Sequence, residues 1–369
     1  MRIALIHDHL LQHGGAERVL EVMSDIFPKA PIYTIAYAPE HFPHLRGRHV
    51  IASALGSIPF FGKKLRPLVP FIPTAIERFP LKEFDVVLSN SSGFAKGAIT
   101  HPHTLHICYC HTPTRYLWSD SVEYTESLSL HRYIKSILMV ILTWLRIWDR
   151  VSAERVDAWV ANSHTVARRI KKYYGKESTV IYPPVDIEKF SLSSEPKTYY
   201  LAGGRLVSYK RFDLIIEAFN KIGTPLIVFG TGPEEKRLRG MAGPNIRFVG
   251  RTSDELRAKL FAEAIAFIHP QEEDFGITPV ESMASGRPVI ALRRGGATET
   301  VVEGVTGTFF DEQSVEELMD TVLHFDHTAF SPEKIRAHAE QFGLQRFRKE
   351  LYELVDKLWT THRRDVVGK

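Results

Sequence analysis

Glu273 and Glu281 are separated by seven residues in the segment EEDFGITPVE, with Phe275, Gly276, Ile277 and Thr278 between them. The pattern predicts a helix over Thr278–Ser285, entered through Gly276. A carboxylate at a loop tip accepts hydrogen bonds from sugar hydroxyls. The free N–H groups of a helix start bind a diphosphate, and glycine lets the backbone approach it without a side chain. A second carboxylate one turn into the helix accepts from a ribose. Upstream, GGRLVSYKRFD supplies Gly204, Arg205, Lys210 and Arg211. Fixed cations there answer the negative charge that collects on the phosphates as a nucleoside diphosphate departs. The bland alternatives are solvated acids at a helix start and a basic surface turn.

Other segments carry weaker signals. HGGAERV places Gly14 and Gly15 between a first strand and its helix, which suits a tight turn or a close backbone approach to a donor phosphate or sugar. The neighbouring His7, Asp8, His9 and His13 lack metal-ligand spacing, so no metal site is expected. His111 closes a predicted strand and opens HTPTRYLW, where it is either ordinary satisfied structure or a ligand contact. In GTGP, Gly232 invites comparison with a dinucleotide fingerprint, but Glu235 stands where the third glycine belongs. Arg251 follows another predicted strand, and GGATE ends with Glu299, a candidate brace for the basic residues.

These segments need elements to hold them. The length of 369 residues suggests about two domains. Short apolar runs alternate with helix-period segments, which argues for α/β domains with parallel sheets. Strands are predicted at Arg2–His7, Ile32–Ala36, Asp85–Ser89, Leu105–Cys110, Ala158–Asn162 and Thr179–Tyr182. After a proline-rich, polar linker the pattern restarts at Tyr199–Gly203, Leu226–Gly230, Ile246–Gly250, Ile265–His269, Pro288–Ala291 and Thr308–Phe310. The division reads as residues 1–190, 191–343 and a final amphipathic segment, 344–369. Every candidate site segment follows a predicted strand, the side on which open α/β sheets bind ligands.

The net charge of +4 is too mild to argue for nucleic acid, and no zinc-finger spacing is present. Cys108 and Cys110 would point to opposite faces of one strand, so no disulfide between them is expected, and a reducing compartment fits. The N-terminal run is broken by His7 and Asp8 and reads as a strand rather than a signal peptide. No stretch reaches the ~20 apolar residues of a membrane span.

Taken together, EDFGITPVESMASGRPVI, GGRLVSYKRFD, GGAERV and GTGP resemble the retaining GT-B glycosyltransferases of family 4, also called group 1. The resemblance covers nearly the whole chain. It implies two Rossmann-like domains facing a deep cleft, with hinges near 183–197 and before 344 and a last helix that returns to the first domain. It further implies that Glu273 contacts the donor sugar and Glu281 the ribose, while Arg205 and Lys210 stabilise the leaving group. Gly276, Ile277 and Thr278 would face the diphosphate, and Phe275, Gly204, Arg251 and Gly232 would line the donor site. His111 would contact the donor sugar. The chain departs from the pattern at Asp274, where most relatives carry a small residue.

HTPTRYLW resembles bacterial mannosyltransferases of capsule and O-antigen assembly, which implies GDP-mannose as donor substrate and a glycan or polyprenyl-diphosphate-linked acceptor. No cofactor and no metal are expected, because no Asp-x-Asp pair is present and the cations take that role. Two segments mix aromatic and basic residues: 56–73, with Phe60, Phe61, Phe71, Lys63, Lys64 and Arg66, and 133–148, with Ile137, Trp144 and Trp148. They suit either buried structure or an anionic membrane surface, and the expected location is the cytoplasm at the inner face of the membrane. Rival readings are a UDP-sugar donor, a sugar-nucleotide epimerase of the same fold, and a non-enzymatic assembly protein. Intact Glu273, Glu281, Arg205 and Lys210 argue against the last.

Overall fold

The computed structural model describes residues 1–57, 66–128, 131–193 and 198–367. Two compact units result: Met1–Tyr182 with Arg348–Lys369, and Pro183–Phe347. In the first, seven strands form a wholly parallel sheet: β1 Ile3–His7, β2 Ile32–Thr34, β3 Val50–Ala52, β4 Val86–Ser91, β5 Leu105–Cys110, β6 Ala158–Ala161 and β7 Thr179–Val180. Their order is β3-β2-β1-β4-β5-β6-β7. In the second, six parallel strands run β10-β9-β8-β11-β12-β13. They are β8 Tyr200–Gly203, β9 Leu226–Phe229, β10 Ile246–Gly250, β11 Phe267–His269, β12 Val289–Leu292 and β13 Gly307–Phe310. Each unit is a Rossmann-like α/β layer structure, as the alternating pattern predicts.

The central strands are covered on both faces, and β1, β4 and β5 are buried at every residue. This is why they read as continuous apolar runs rather than alternations. β3 escaped prediction because it is an edge strand of three residues with no buried position.

The first unit ends at Tyr182, eight residues before the boundary read at 190. Val185 explains the difference: its N–H donates to the Phe342 carbonyl at 2.9 Å, which ties the segment to the second unit. Ile187 and Phe190 are buried there as well. The final helix, Leu344–Val367, is continuous through the second boundary at Phe347/Arg348. Arg348 pairs with Asp25 at 3.0 Å, and Tyr352 stacks on Phe27. Residues 194–197 of the predicted linker lie outside the described residues.

Candidate active site

In the second unit the strand order reverses between β8 and β11, which are hydrogen-bonded neighbours. The loops that leave them therefore diverge, and ligands of open α/β sheets bind at such a point. The β8 loop holds Gly204, Arg205 and Lys210; the β11 loop holds Gln271, Glu273 and Gly276. Lys210 Nζ lies 2.7 Å from Glu273 Oε1, so residues 63 positions apart form one ion pair. Gln271 Nε2 donates to the same oxygen at 3.4 Å. Oε2 of Glu273 has no partner among the described residues and remains available to a ligand hydroxyl.

Burial works against the charged form of each partner, and their attraction overrides it. Lys210 is held above the usual lysine range. Glu273 is held down at about 2, with His269 and Gln271 adding to the pull of Lys210. The site thus presents a fixed ammonium beside a fixed carboxylate.

The predicted helix runs over Ile277–Ala284, with Gly276 as its cap. Gly276 sits at φ 87°, ψ 77°, in the left-handed half of the map that glycine tolerates. No side chain caps this helix, and the N–H groups of Gly276, Ile277 and Thr278 find no acceptor among the described residues. Beneath them lies His269, which sequence reasoning left inside a strand. It is fully buried, and neither ring nitrogen has a hydrogen-bond partner among the described residues. Burial pushes its pKa down to about 4, so it is neutral at pH 7. The available signal was its place as last residue of a strand at the reversal point.

Arg205 is exposed and makes no ion pair among the described residues. Arg211 is turned aside: its guanidinium meets Asp213 and Gln313, so it is not a third free cation. Gly232 belongs to packing. A Cβ there would fall 2.2 Å from the Leu206 carbonyl oxygen, so Gly232 lets GTGP brace the Arg205 loop. Phe275 departs from the donor-lining expectation, because its ring is buried edge-on against Phe342. Arg251 is exposed after β10, two strands from β8 and so about 10 Å from the reversal point. Glu281 is buried and lies 3.3 Å from Arg257 Nη2, a partner the sequence did not single out.

The first unit carries a separate polar cluster at the ends of β1, β4 and β5. His111 Nε2 donates to Asn90 Oδ1 at 2.5 Å, and Asn90 Nδ2 donates to the Ala16 carbonyl at 2.8 Å. His7 stands between Asn90 and Glu17, with Nε2 3.5 Å from Glu17 Oε1. Burial and the neighbouring His7 push His111 down to about 4. Asn90 thus fixes the Nε2–H tautomer of a neutral His111. The Asp8 carboxylate accepts from the N–H groups of Ser92, Phe94 and Ala95. Gly14 caps the helix Gly15–Ile26 in extended conformation.

Two further residues of HTPTRYLW, Thr114 and Trp118, bind a buried acid. Thr114 Oγ1, Trp118 Nε1 and Tyr174 Oη all donate to Asp149, at 2.9, 2.8 and 2.7 Å. Asp149 is fully buried and pairs with Lys96 at 2.6 Å. Asp149→Asn strands the Lys96 ammonium, and the expected loss is about 3–5 kcal/mol of stability, read by urea unfolding. A loss below ~1 kcal/mol, the value of an exposed pair, contradicts this reading.

Known proteins match this chain in sequence and in fold. The family model "Glycosyltransferase Family 4" matches residues 13–189, and "Glycosyl transferases group 1" matches residues 185–342. A GDP-mannose-dependent alpha-mannosyltransferase of Corynebacterium glutamicum is 34% identical over 117 residues, 31% of this chain and 28% of that protein. A D-inositol 3-phosphate glycosyltransferase of Mycolicibacterium smegmatis is 24% identical over 234 residues, 53% of this chain and 52% of that protein. Such matches span about half of the relatives' own length or less. Among solved structures, Anabaena HepE in complex with UDP-glucose aligns with a TM-score of 0.71 and 20% identity over 97% of this chain and 100% of that one. Sucrose-phosphate synthase of Thermosynechococcus elongatus aligns with a TM-score of 0.73 and 17% identity over 98% and 100%. These structures share the fold of two Rossmann-like units. With the two family models adjoining across residues 13–342, the chain belongs to the GT-B glycosyltransferases of family 4, group 1.

Proposed function

We propose that the chain is a retaining α-mannosyltransferase that moves mannose from GDP-mannose to a lipid-linked oligosaccharide in cell-surface polysaccharide synthesis. The observation that carries the transferase reading is the Lys210–Glu273 pair beside the open start of the helix Ile277–Ala284. The N–H groups of Gly276, Ile277 and Thr278 take the diphosphate. Lys210 and Arg205 meet the charge that grows on the leaving GDP, as preorganised cations act mainly on the transition state. Glu273 Oε2 accepts from a hydroxyl of the sugar. Glu281, steadied by Arg257, accepts from the ribose.

The acceptor hydroxyl attacks the anomeric carbon from the face the diphosphate leaves. The new C–O bond forms as the sugar–phosphate bond breaks, and the departing phosphate oxygen takes the acceptor proton. No protein nucleophile is required, and the two cations supply the charge neutralisation for which other transferases use a metal. The donor base is supported by the GDP-mannose-dependent relative, which is 34% identical where it matches.

Product analysis tests the proposal. With GDP-mannose, an oligosaccharide acceptor and EDTA, the expected product is an α-mannoside, identified from its anomeric proton and carbon signals. A β-linked product overturns retention. Release of free epimer or sugar without any acceptor overturns transfer in favour of the epimerase.

A further inference from the structure

The helix Arg132–Ser152 buries Leu142, Leu145, Asp149 and Ser152 against the first unit. Another face carries Tyr133, Ile137, Val140, Trp144, Ile147 and Val151, and all six are exposed. Relative exposures of 62% at Ile137, 71% at Val140 and 60% at Ile147 exclude the buried core helix that the sequence also allowed. At 3.6 residues per turn the six fall within an arc of about 80°, and they extend about 27 Å along the axis. Folded monomers rarely leave so long an apolar strip to water.

Charge decides what covers it. Outside the core the charged side chains of this helix are all basic: Arg132, Lys135, Arg146 and Arg150. Arg150 pairs with Glu154 and Arg146 donates to the Leu117 carbonyl, which leaves Arg132 and Lys135 without an acidic partner among the described residues. Its one acid, Asp149, is fully buried against Lys96. A second copy docked face to face would set cations against cations. An anionic bilayer interface satisfies both the strip and the cations, with Tyr133 and Trp144 at the depth such aromatics prefer. Among the described residues no helix is long and apolar enough to cross a membrane, so the helix lies on the bilayer rather than through it. Of the other aromatic–basic segment, 56–73, residues 58–65 with Phe60, Phe61, Lys63 and Lys64 lie outside the described residues, while Phe71 is exposed.

We propose that the helix Arg132–Ser152 docks this protein on the anionic surface of a lipid bilayer, with Ile137, Val140, Trp144 and Ile147 inserted at the headgroup level. The purpose of docking rests on the lipid-linked acceptor proposed above; the docking itself does not.

The test is co-sedimentation of the full chain with vesicles of phosphatidylcholine alone or mixed with phosphatidylglycerol. The expected result is pelleting with the anionic vesicles. Binding should weaken at least tenfold in Ile137→Ser/Val140→Ser/Ile147→Ser and several-fold in Arg132→Gln/Lys135→Gln. No pelleting, or equal pelleting of wild type and the triple variant, overturns the proposal. A dimer in sedimentation equilibrium that the triple variant dissociates, with no pelleting of the wild type, overturns it in favour of a second copy. GDP calorimetry on both proteins keeps the readings apart. The triple variant should bind GDP as the wild type does, which also shows that it folds. Loss of GDP binding in the wild type alongside intact pelleting counts against the donor reading only.

Discussion

Lys210→Ala lowers turnover several-hundredfold, because a transition-state donor of this kind is worth about 3 kcal/mol. The lysine is fixed by Glu273 at 2.7 Å and held charged by it, so it needs no reorganisation when the diphosphate leaves. The loss should fall on kcat and on kcat/KM alike, as expected of an interaction made in the transition state. Arg205→Ala tests the same role without disturbing a buried pair, since Arg205 is exposed and has no ion-pair partner among the described residues. Its melting temperature should be unchanged while turnover falls far. Steady-state kinetics decide the matter. A fall of less than about tenfold in either variant, against the several-hundredfold expected of such a donor, removes that residue from the leaving-group role.

Glu273→Gln acts on stability as well as on turnover. Removing one charge of this largely but not fully buried pair leaves the other uncompensated, which costs about 3 kcal/mol. Thermal melts should show the loss at pH 7. The pH dependence has a definite sign. The folded pKa of about 2 lies below the ordinary glutamate value, so the carboxylate stabilises the fold at pH values above that ordinary value. That contribution fades as the pH falls toward about 2. The difference in stability between wild type and Glu273→Gln should therefore narrow on acidification below about pH 4.3. It should stay constant between pH 6 and 8. A difference that grows on acidification contradicts the pairing of Glu273 with Lys210.

Much of this was legible before any coordinates. Twelve of the thirteen strands among the described residues were readable because buried parallel strands are short apolar runs, and each site loop follows one. The helix at Gly276 was placed to within one residue by its glycine entry. What stayed hidden depends on pairings across the chain. Nothing near Lys210 announces Glu273; the two meet because β8 and β11 are neighbours in the sheet. Arg257 and Glu281 meet between two helices, Asp254–Glu263 and Ile277–Ala284. His269 looked like one more buried strand residue; beyond its place at the strand end, its two ring nitrogens, unpartnered among the described residues, mark it out. HTPTRYLW looked like a donor-specificity signature. Thr114 and Trp118 of that string donate to Asp149, which lies 31 residues beyond Trp118 and could not be read from it. The helix Arg132–Ser152 was ambiguous because periodicity reveals an apolar face without revealing what covers it.

The central claim is a metal-free site for a guanine nucleotide diphosphate in the second unit. Calorimetric titration of the full chain with GDP, UDP, GDP-mannose and UDP-glucose, in EDTA throughout, tests it most directly. Saturable binding of GDP and GDP-mannose is expected, with uridine nucleotides much weaker. Preference for UDP and UDP-glucose contradicts the donor base while leaving the Lys210–Glu273 site in place. Binding that appears only when a divalent cation replaces EDTA contradicts the assignment of charge neutralisation to Lys210 and Arg205.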